Sequence, residues 1–445
     1  MSSEGKAYIN LQLGWPTPSL FPKEQLAEAA KAVLLDDEVA AKALVYGPDP
    51  GQDSLRAALA KWLSEFYQPT AGPVSPDRLF ITNGASGALP MLLTRFTEPG
   101  YTRRVWMIEP TYFLACPSFQ DAGFEGRLRG VPEDDEGIDI EFLRAGILEA
   151  EKEESTTGLG YDVATAPKVY RHIVYVVPTF SNPSAKVMSL RRREQLVELA
   201  REFDALVISD DVYDWLRWPA EDGKDGGHEL PKPLPRLVDV DRALPGGNLY
   251  GNVVSNGSFS KIVAPGVRVG WIEGTPEIPK ELCKLGPVRS GGCQGHLSSM
   301  FMGQLLSSGA LEAHIRDKLI PTYRTRYQAM MKAIGEHLLP LGITIAPTMD
   351  RSGEVSVVGG FFTYLNLPSN SVTSKDLADY ALEKHNVRAA HGGMMTVVGD
   401  KGSTQRAETT FGPGLRLCWA WHEVEAIEEG VERLATAFKE LKRLA

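Results

Sequence analysis

Residues 258–271 read Ser258-Phe259-Ser260-Lys261-Ile262-Val263-Ala264-Pro265-Gly266-Val267-Arg268-Val269-Gly270-Trp271. One lysine stands among small and apolar neighbours with no acid beside it. A lysine that attacks a carbonyl needs a pKa below its usual range, and partial burial supplies that by disfavouring the ammonium form. Ser258 and Arg268 flank it, and a hydroxyl with a guanidinium makes a good set for a phosphate monoester. Taken alone, the segment reads equally well as a loop carrying a surface lysine.

Outward from this stretch, short apolar runs alternate with helical ones. The runs cover 79–82, 105–108, 173–177, 206–209 and 267–272. Such alternation predicts βα units and a mostly parallel sheet flanked by helices. Helical spacing is evident over 24–35 and 55–66. From residue 319 the pattern shifts to a long polar helix over 320–338, then strand-like runs at 360–365 and 415–420. This predicts three parts: an N-terminal segment over 1–45, a large domain over 46–318 and a smaller α+β domain over 319–445. Residues 151–168 and 221–247 carry charge, Gly, Pro and Asp without periodicity, and read as exposed loops.

Several of the runs end in groups with chemistry to offer. Ser209-Asp210-Asp211-Val212-Tyr213 follows an apolar run, which sets a carboxylate at a strand's C-terminal end, where open α/β sheets bind ligands. An ionised Asp there can hold a pyridine nitrogen protonated and so make the ring an electron sink. Tyr213, three positions on, reaches the same ligand. Pro178-Thr179-Phe180-Ser181-Asn182-Pro183 brings the Asn182 amide to the same edge, although Asn-Pro is also an ordinary turn. Thr82-Asn83-Gly84-Ala85-Ser86-Gly87 joins a strand to a helix whose free N–H groups suit a phosphate. Glu109-Pro110-Thr111-Tyr112 offers an aromatic ring. Arg416 lies inside an apolar run and needs an anionic partner, either a ligand carboxylate or an internal acid. Each feature has a bland explanation. Together they supply the contacts that pyridoxal 5′-phosphate needs.

In order and type these residues resemble the fold-type I aminotransferases of class I/II, in particular the branch of kynurenine/2-aminoadipate and aromatic aminotransferases. The likeness runs from Gly14 to Arg416. It implies an α/β large domain with a mostly parallel central sheet, aspartate aminotransferase-like, plus a smaller α+β domain. It implies Lys261 as the Schiff-base lysine and general acid/base, and Asp210 paired with the pyridine nitrogen. Tyr213 and Asn182 would contact the ring oxygen, with Tyr112 stacked on the ring. Gly84, Ala85, Ser86, Ser258 and Arg268 would hold the phosphate, and Arg416, Asn182 and Gly14 the substrate α-carboxylate. Tyr46, in Val45-Tyr46-Gly47-Pro48, matches a tyrosine that reaches the phosphate of a partner subunit, which implies a homodimer. Two departures stand out: Asn182-Pro183-Ser184-Ala185 where the family reads Asn-Pro-Thr-Gly, and Ser86 where a Gln or similar is usual. Neither removes a group the chemistry requires.

The implied reaction moves an α-amino group to a 2-oxo acid. The same contacts would also serve a C–S lyase, a β/γ-elimination, a decarboxylation or a C–C bond-forming step. Ser258-x-x-Lys261 fits a serine-hydrolase pattern, but its S-D-N and K-T-G partners are absent. A regulator built on this fold needs a DNA-binding domain upstream of Tyr46, where no basic helix occurs. A net charge of −10 argues against nucleic acid. Four cysteines without a C-x-x-C pair, no long apolar run and a start lacking a signal-peptide core point to a cytoplasmic protein without a metal site or membrane span. Residues 1–50 contain no arginine but offer Trp15, Leu20 and Phe21 beside Gly14. Such walls favour an aromatic or large aliphatic donor over aspartate, although the same residues read equally well as packing of the N-terminal segment onto the core. Glutamate or 2-oxoglutarate would still serve as second substrate, with a water or Arg289 for the distal carboxylate.

Overall fold

Strands that are apolar at nearly every position need cover on both faces. Here they build an eight-stranded sheet of β1 (Leu79–Thr82), β2 (Arg104–Glu109), β3 (Leu128–Asp134), β4 (Gly137–Ile138), β5 (His172–Val176), β6 (Ala205–Asp210), β7 (Val253–Ser258) and β8 (Gly270–Glu273). The computed structural model describes residues 6–153, 168–220, 230–348, 356–368 and 372–444. Strand order is β1-β8-β7-β6-β5-β2-β3-β4. The run from β3 to β7 is parallel throughout. β8 lies antiparallel to both β7 and β1, so β1 again points the same way as the parallel set.

Side chains alternate across this sheet and divide the interior in two. Val105, Met107, Ile173, Tyr175, Leu206 and Ile208 face a core shared with Leu89, Leu92 and Phe96 of the helix Ala85–Phe96. Trp106, Ile108, Val174, Val176 and Val207 face the opposite side, against Leu143 and Ile147 of Ile140–Lys152 and Leu196 and Leu199 of Leu190–Glu202. Each such side chain contributes about 1.5–3 kcal/mol by leaving water.

A second, antiparallel sheet holds β9 (Thr344–Ile345), β10 (Phe362–Asn366), β11 (Ala390–His391) and β12 (Gly414–Cys418), in the order β9-β10-β12-β11. The helix Val424–Leu444 packs on Ser374–His385 and Ile320–Ala333 beside it. The first described residues join this part: Ile9–Asn10 pairs in parallel with Val387–Arg388, and Leu11 accepts a 2.7 Å hydrogen bond from the Cys418 amide. The two sheets are tied together at Glu109, the end of β2. Its carboxylate pairs with Arg406, whose Nη2 also donates to the Gly130 carbonyl at 2.9 Å. Asp400 caps the helix Lys401–Thr409 and accepts from the Gly130 amide at 2.8 Å.

Several sequence expectations shift. The run over 267–272 becomes a strand only at Gly270, because Arg268 takes a left-handed conformation with φ of 50°. The polar helix over 320–338 ends as a regular helix at Ala333 and continues to Leu338 in a wider turn. The loop expected over 221–247 contains a helix, Leu237–Ala243, anchored by buried Leu237 and Val240 and by Arg236 gripping Asp239 at its start. Residues 221–229, and most of the other expected loop at 154–167, lie outside the described residues. β7 was not expected at all, since Ser255, Asn256, Gly257 and Ser258 break its apolar character.

Candidate active site

β1, β2, β5, β6 and β7 share one direction, so their C-terminal ends meet at one edge of the sheet. A cavity of about 570 Å³ opens there, lined by Gly14, Ala85, Ser86, Tyr112, Asn182, Asp210, Tyr213, Ser258, Lys261, Arg268 and Arg416. Eleven of the thirteen residues singled out from sequence thus converge. Gly84 sits behind the wall, and Tyr46 stands outside, 83% exposed.

Lys261 follows β7 by one short turn, with Ser258 capping the Ser260 amide. Its buried ammonium is held below the ordinary lysine range, at about 8, because desolvation outweighs the pull of Cys418 and Asp210. Its Nζ donates to the Gly14 carbonyl at 2.9 Å. Gly14 must be glycine for this approach, since a Cβ would lie 2.6 Å from the Phe362 ring.

Asp210 ends β6. Its Oδ2 accepts from the Tyr175 hydroxyl at 2.6 Å, while its Oδ1 is buried with no partner among the described residues. Burial raises the carboxyl to about 6, against the lowering effects of Tyr175 and Lys261. Asp211 turns the other way, where Ser209 and Ser255 donate to it at 2.6 and 2.5 Å. The alternation of strand side chains therefore assigns the cavity to Asp210 and not Asp211.

Opposite these, Arg416 on β12 donates from Nη1 to Asn182 Oδ1 and from Nη2 to the Gln12 carbonyl, both at 2.6 Å. Its guanidinium lies 4.2 Å from the Phe362 ring centre, and its buried Nε has no partner among the described residues. Among the described residues no internal acid takes up this charge, so of the two partners that the sequence allowed, the site favours a ligand carboxylate. Arg268 reaches the Asn83 carbonyl at 2.8 Å and the Pro265 carbonyl at 3.0 Å. It lies beneath the start of the helix Ala85–Phe96, where Gly84 has φ of 79° and a Cβ would meet Arg268 Nη2 at 2.8 Å.

This arrangement fits pyridoxal 5′-phosphate. A helix start with a guanidinium beneath it suits a phosphate, the unpartnered Asp210 Oδ1 suits a protonated ring nitrogen, and a buried amine of lowered pKa suits an aldehyde. Sequence reading overlooked four contributors: Tyr175, Ser260, Phe362 and Arg388. Ser260 links Ser258 to Arg268, accepting from the first at 2.9 Å and from the second at 3.5 Å. Tyr175 carried a signal, a phenol inside the apolar run at 173–177. Arg289 pairs with Asp49 at 3.0 Å and does not line the cavity, and of the two readings of the N-terminal apolar residues Leu20 and Phe21 take the core-packing one, leaving Trp15 with Leu13, Phe113 and Leu114 at the wall.

Comparison with known proteins agrees with this geometry. Residues 9–434 match the family model of aminotransferase class I and II. The chain is 31% identical to aromatic-amino-acid aminotransferase 1 of Thermococcus litoralis, covering 97% of this chain and 88% of that protein. It is 30% identical to 2-aminoadipate transaminase of Thermus thermophilus, covering 97% and 90%. The crystal structure of a multiple substrate aminotransferase from Thermococcus profundus superposes with a TM-score of 0.76 at 28% identity, over 99% of this chain and 94% of that one. The shared fold, the cofactor-shaped cavity and the match along almost the whole sequence lead to one conclusion: the chain belongs to the class I and II aminotransferases and is a pyridoxal 5′-phosphate-dependent transaminase of amino acids.

Proposed function

We propose that this enzyme moves the α-amino group of aromatic or large aliphatic amino acids to a 2-oxo acid, with Lys261 as the proton-transferring base. The observation that carries the reading is the convergence of half-buried Lys261 with buried Asp210 and Arg416 on one cavity. When bound, pyridoxal 5′-phosphate supplies a sink for the electrons left at the α-carbon. An amine near pH 8 is partly unprotonated in neutral solution, so Lys261 can take the α-proton and return it. Asp210 offers Oδ1 to the ring nitrogen while Tyr175 holds Oδ2. Arg416, steadied by Asn182, grips the α-carboxylate in the bidentate manner that guanidinium favours. Ala85, Ser86, Ser258 and Arg268, with Gly84 leaving room beneath, hold the phosphate. Tyr112 covers the ring, and Tyr213 with Asn182 reaches its oxygen.

The donor preference rests on Trp15, Leu13, Phe113 and Leu114 at the wall, and on the likeness to an aromatic-amino-acid aminotransferase. At ~25 cal/mol per Å², covering about 60 Å² of additional apolar surface supports roughly a tenfold gain in kcat/KM. We further read the chain as the N-terminal segment 1–45, a large domain 46–318 and a small domain 319–445. Ile9–Asn10 supports the assignment of that segment to the small domain's side. Four free cysteines suit a reducing, cytoplasmic setting. Among the described residues no helix is long and apolar enough to cross a membrane.

Three outcomes test this reading. Phenylalanine and leucine should each yield their 2-oxo acids in strict proportion to acceptor consumed, with kcat/KM about tenfold above aspartate. Product without acceptor loss, or a preference for aspartate, overturns it. Second, Tyr175→Phe removes a hydrogen bond that favours ionised Asp210, so the carboxyl rises further above 6. Cofactor affinity falls as pH drops through that value, and the variant's fall should begin about one pH unit higher, the scale of a charged hydrogen bond. Fluorescence titration of the cofactor-free variant with pyridoxal 5′-phosphate reads this, and an unmoved profile refutes the role. Third, exposed Leu35, Leu44, Val45 and Tyr46 form an apolar face suited to a second copy. Sedimentation equilibrium should give twice the 48.7 kDa chain mass. A fully active monomer argues against a shared site.

A further inference from the structure

The N-terminal segment borders the cavity beside the chain that leaves β12, and three contacts knit the two. The Cys418 amide donates to the Leu11 carbonyl at 2.7 Å. The Trp15 and Trp421 rings meet edge to face, with centres 6.4 Å apart. The Asn10 amide donates to His422 Nε2 at 2.8 Å. A backbone amide can only donate, so Nε2 must be the unprotonated nitrogen and the ring must be neutral. His422 does not itself line the cavity, yet it holds a residue that does, Asn10.

From Asn10 the bonding continues inward. Asn10 Oδ1 accepts the Gln12 amide at 3.0 Å, and the Gln12 carbonyl accepts Arg416 Nη2 at 2.6 Å. Hydrogen bonds thus lead from the imidazole to the guanidinium. Asn182 takes the other terminal nitrogen, so the Gln12 carbonyl is one of two anchors that aim the fork. The charges that face the His422 ring are Arg326, from the helix Ile320–Ala333, and the adjacent Glu423. These two pair with each other at 2.6 Å, and Arg326 also donates to the Ala420 carbonyl at 2.9 Å. Burial, and then Arg326, hold the imidazole below its usual range against the pull of Glu423. The ring is therefore neutral near pH 7 and takes a proton only in acid.

We propose that His422 is a positioning residue: its neutral ring fixes Asn10 and, through Gln12, aims Arg416 at the α-carboxylate of the substrate. The inference rests on Arg416 as the α-carboxylate clamp and adds the residue that sets its geometry. A protonated ring would turn an N–H against the Asn10 amide and leave the segment unheld at that point. The grip on substrate then weakens in acid for a reason separate from Asp210, whose carboxyl titrates at about 6.

The test compares wild-type holoenzyme with His422→Leu and His422→Gln, using 3-phenylpropionate as a donor-shaped carboxylate that cannot react. Glutamine sets an amide oxygen near the place of Nε2 and does not titrate, whereas leucine leaves the Asn10 amide without an acceptor. At neutral pH, calorimetry should show roughly tenfold weaker binding to His422→Leu, the scale of one lost hydrogen bond, with most of the loss recovered in His422→Gln. With phenylalanine as donor, the His422→Leu defect should fall mainly on KM, since Lys261 itself is untouched. The pH profile separates positioning from packing. As pH falls through and below the ordinary imidazole range, wild type should lose affinity faster than His422→Gln, because the titrations of Asp210 and of the ligand are common to both. This comparison needs only His422→Gln and stands if His422→Leu does not fold. Undiminished affinity in His422→Leu, or a wild-type to His422→Gln ratio that does not move with pH, overturns the inference and leaves Arg416 standing. Arg416→Met that binds 3-phenylpropionate as tightly as wild type would overturn the reading of Arg416, and the route from His422 with it.

Discussion

A carboxylate held dry at a strand end, with one oxygen satisfied and the other open, is the constraint on which this active site depends. Asp210 is buried and its carboxyl is raised to about 6, so its ionised form is retained only with help. Tyr175 gives that help from the neighbouring strand, where register sets Tyr175 beside Ile208, two residues before Asp210. The parallel pairing that orders the sheet therefore also orients the one acid among the described residues that lines the cofactor cavity. Lys261 and Arg416 arrive from other elements, the turn after β7 and β12 itself, yet reach the same space. The Gly14 and Gln12 carbonyls of the N-terminal segment receive both.

Behind Asp210 lies a second layer of buried charge. Asp214 accepts from Tyr67 at 2.8 Å, and Arg236 stacks 4.1 Å from the same Tyr67 ring while pairing with Asp239 and Glu273. Burial, with Asp214 adding its charge, raises the Asp211 carboxyl. Asp211 thereby favours its protonated form, which spares Asp210 an adjacent negative charge. Such a layer is costly to assemble and rigid once satisfied, since each partner removed would strand a buried ion.

Much of this was legible in the residues. The apolar runs at 79–82, 105–108, 173–177 and 206–209 mark strands to within a residue or two, because burial on both faces leaves no room for polar interruption. β7 was hidden for the opposite reason: its polar residues are satisfied inside, with Ser255 bonded to Asp211 and Asn256 Nδ2 to the Ala85 carbonyl at 3.0 Å. A sequence pattern shows polarity but not the partner that cancels its cost. The same limit concealed Arg388. Residues 1–50 approach the substrate but carry no arginine, whereas the arginine at the wall sits on the strand that the N-terminal segment pairs with. Arg289 is engaged by a tertiary partner, Asp49, that no local pattern marks. Long-range pairing, not local propensity, separates the readings that held from those that did not.

The central claim is that Lys261 is the amine that carries the cofactor and moves the proton. Treating the purified, cofactor-loaded protein with borohydride and mapping its peptides by mass spectrometry tests this directly. The account predicts a single pyridoxyl adduct on the peptide bearing Lys261, and loss of both adduct and turnover in Lys261→Ala. An adduct on a different lysine, or undiminished turnover in the variant, would contradict it.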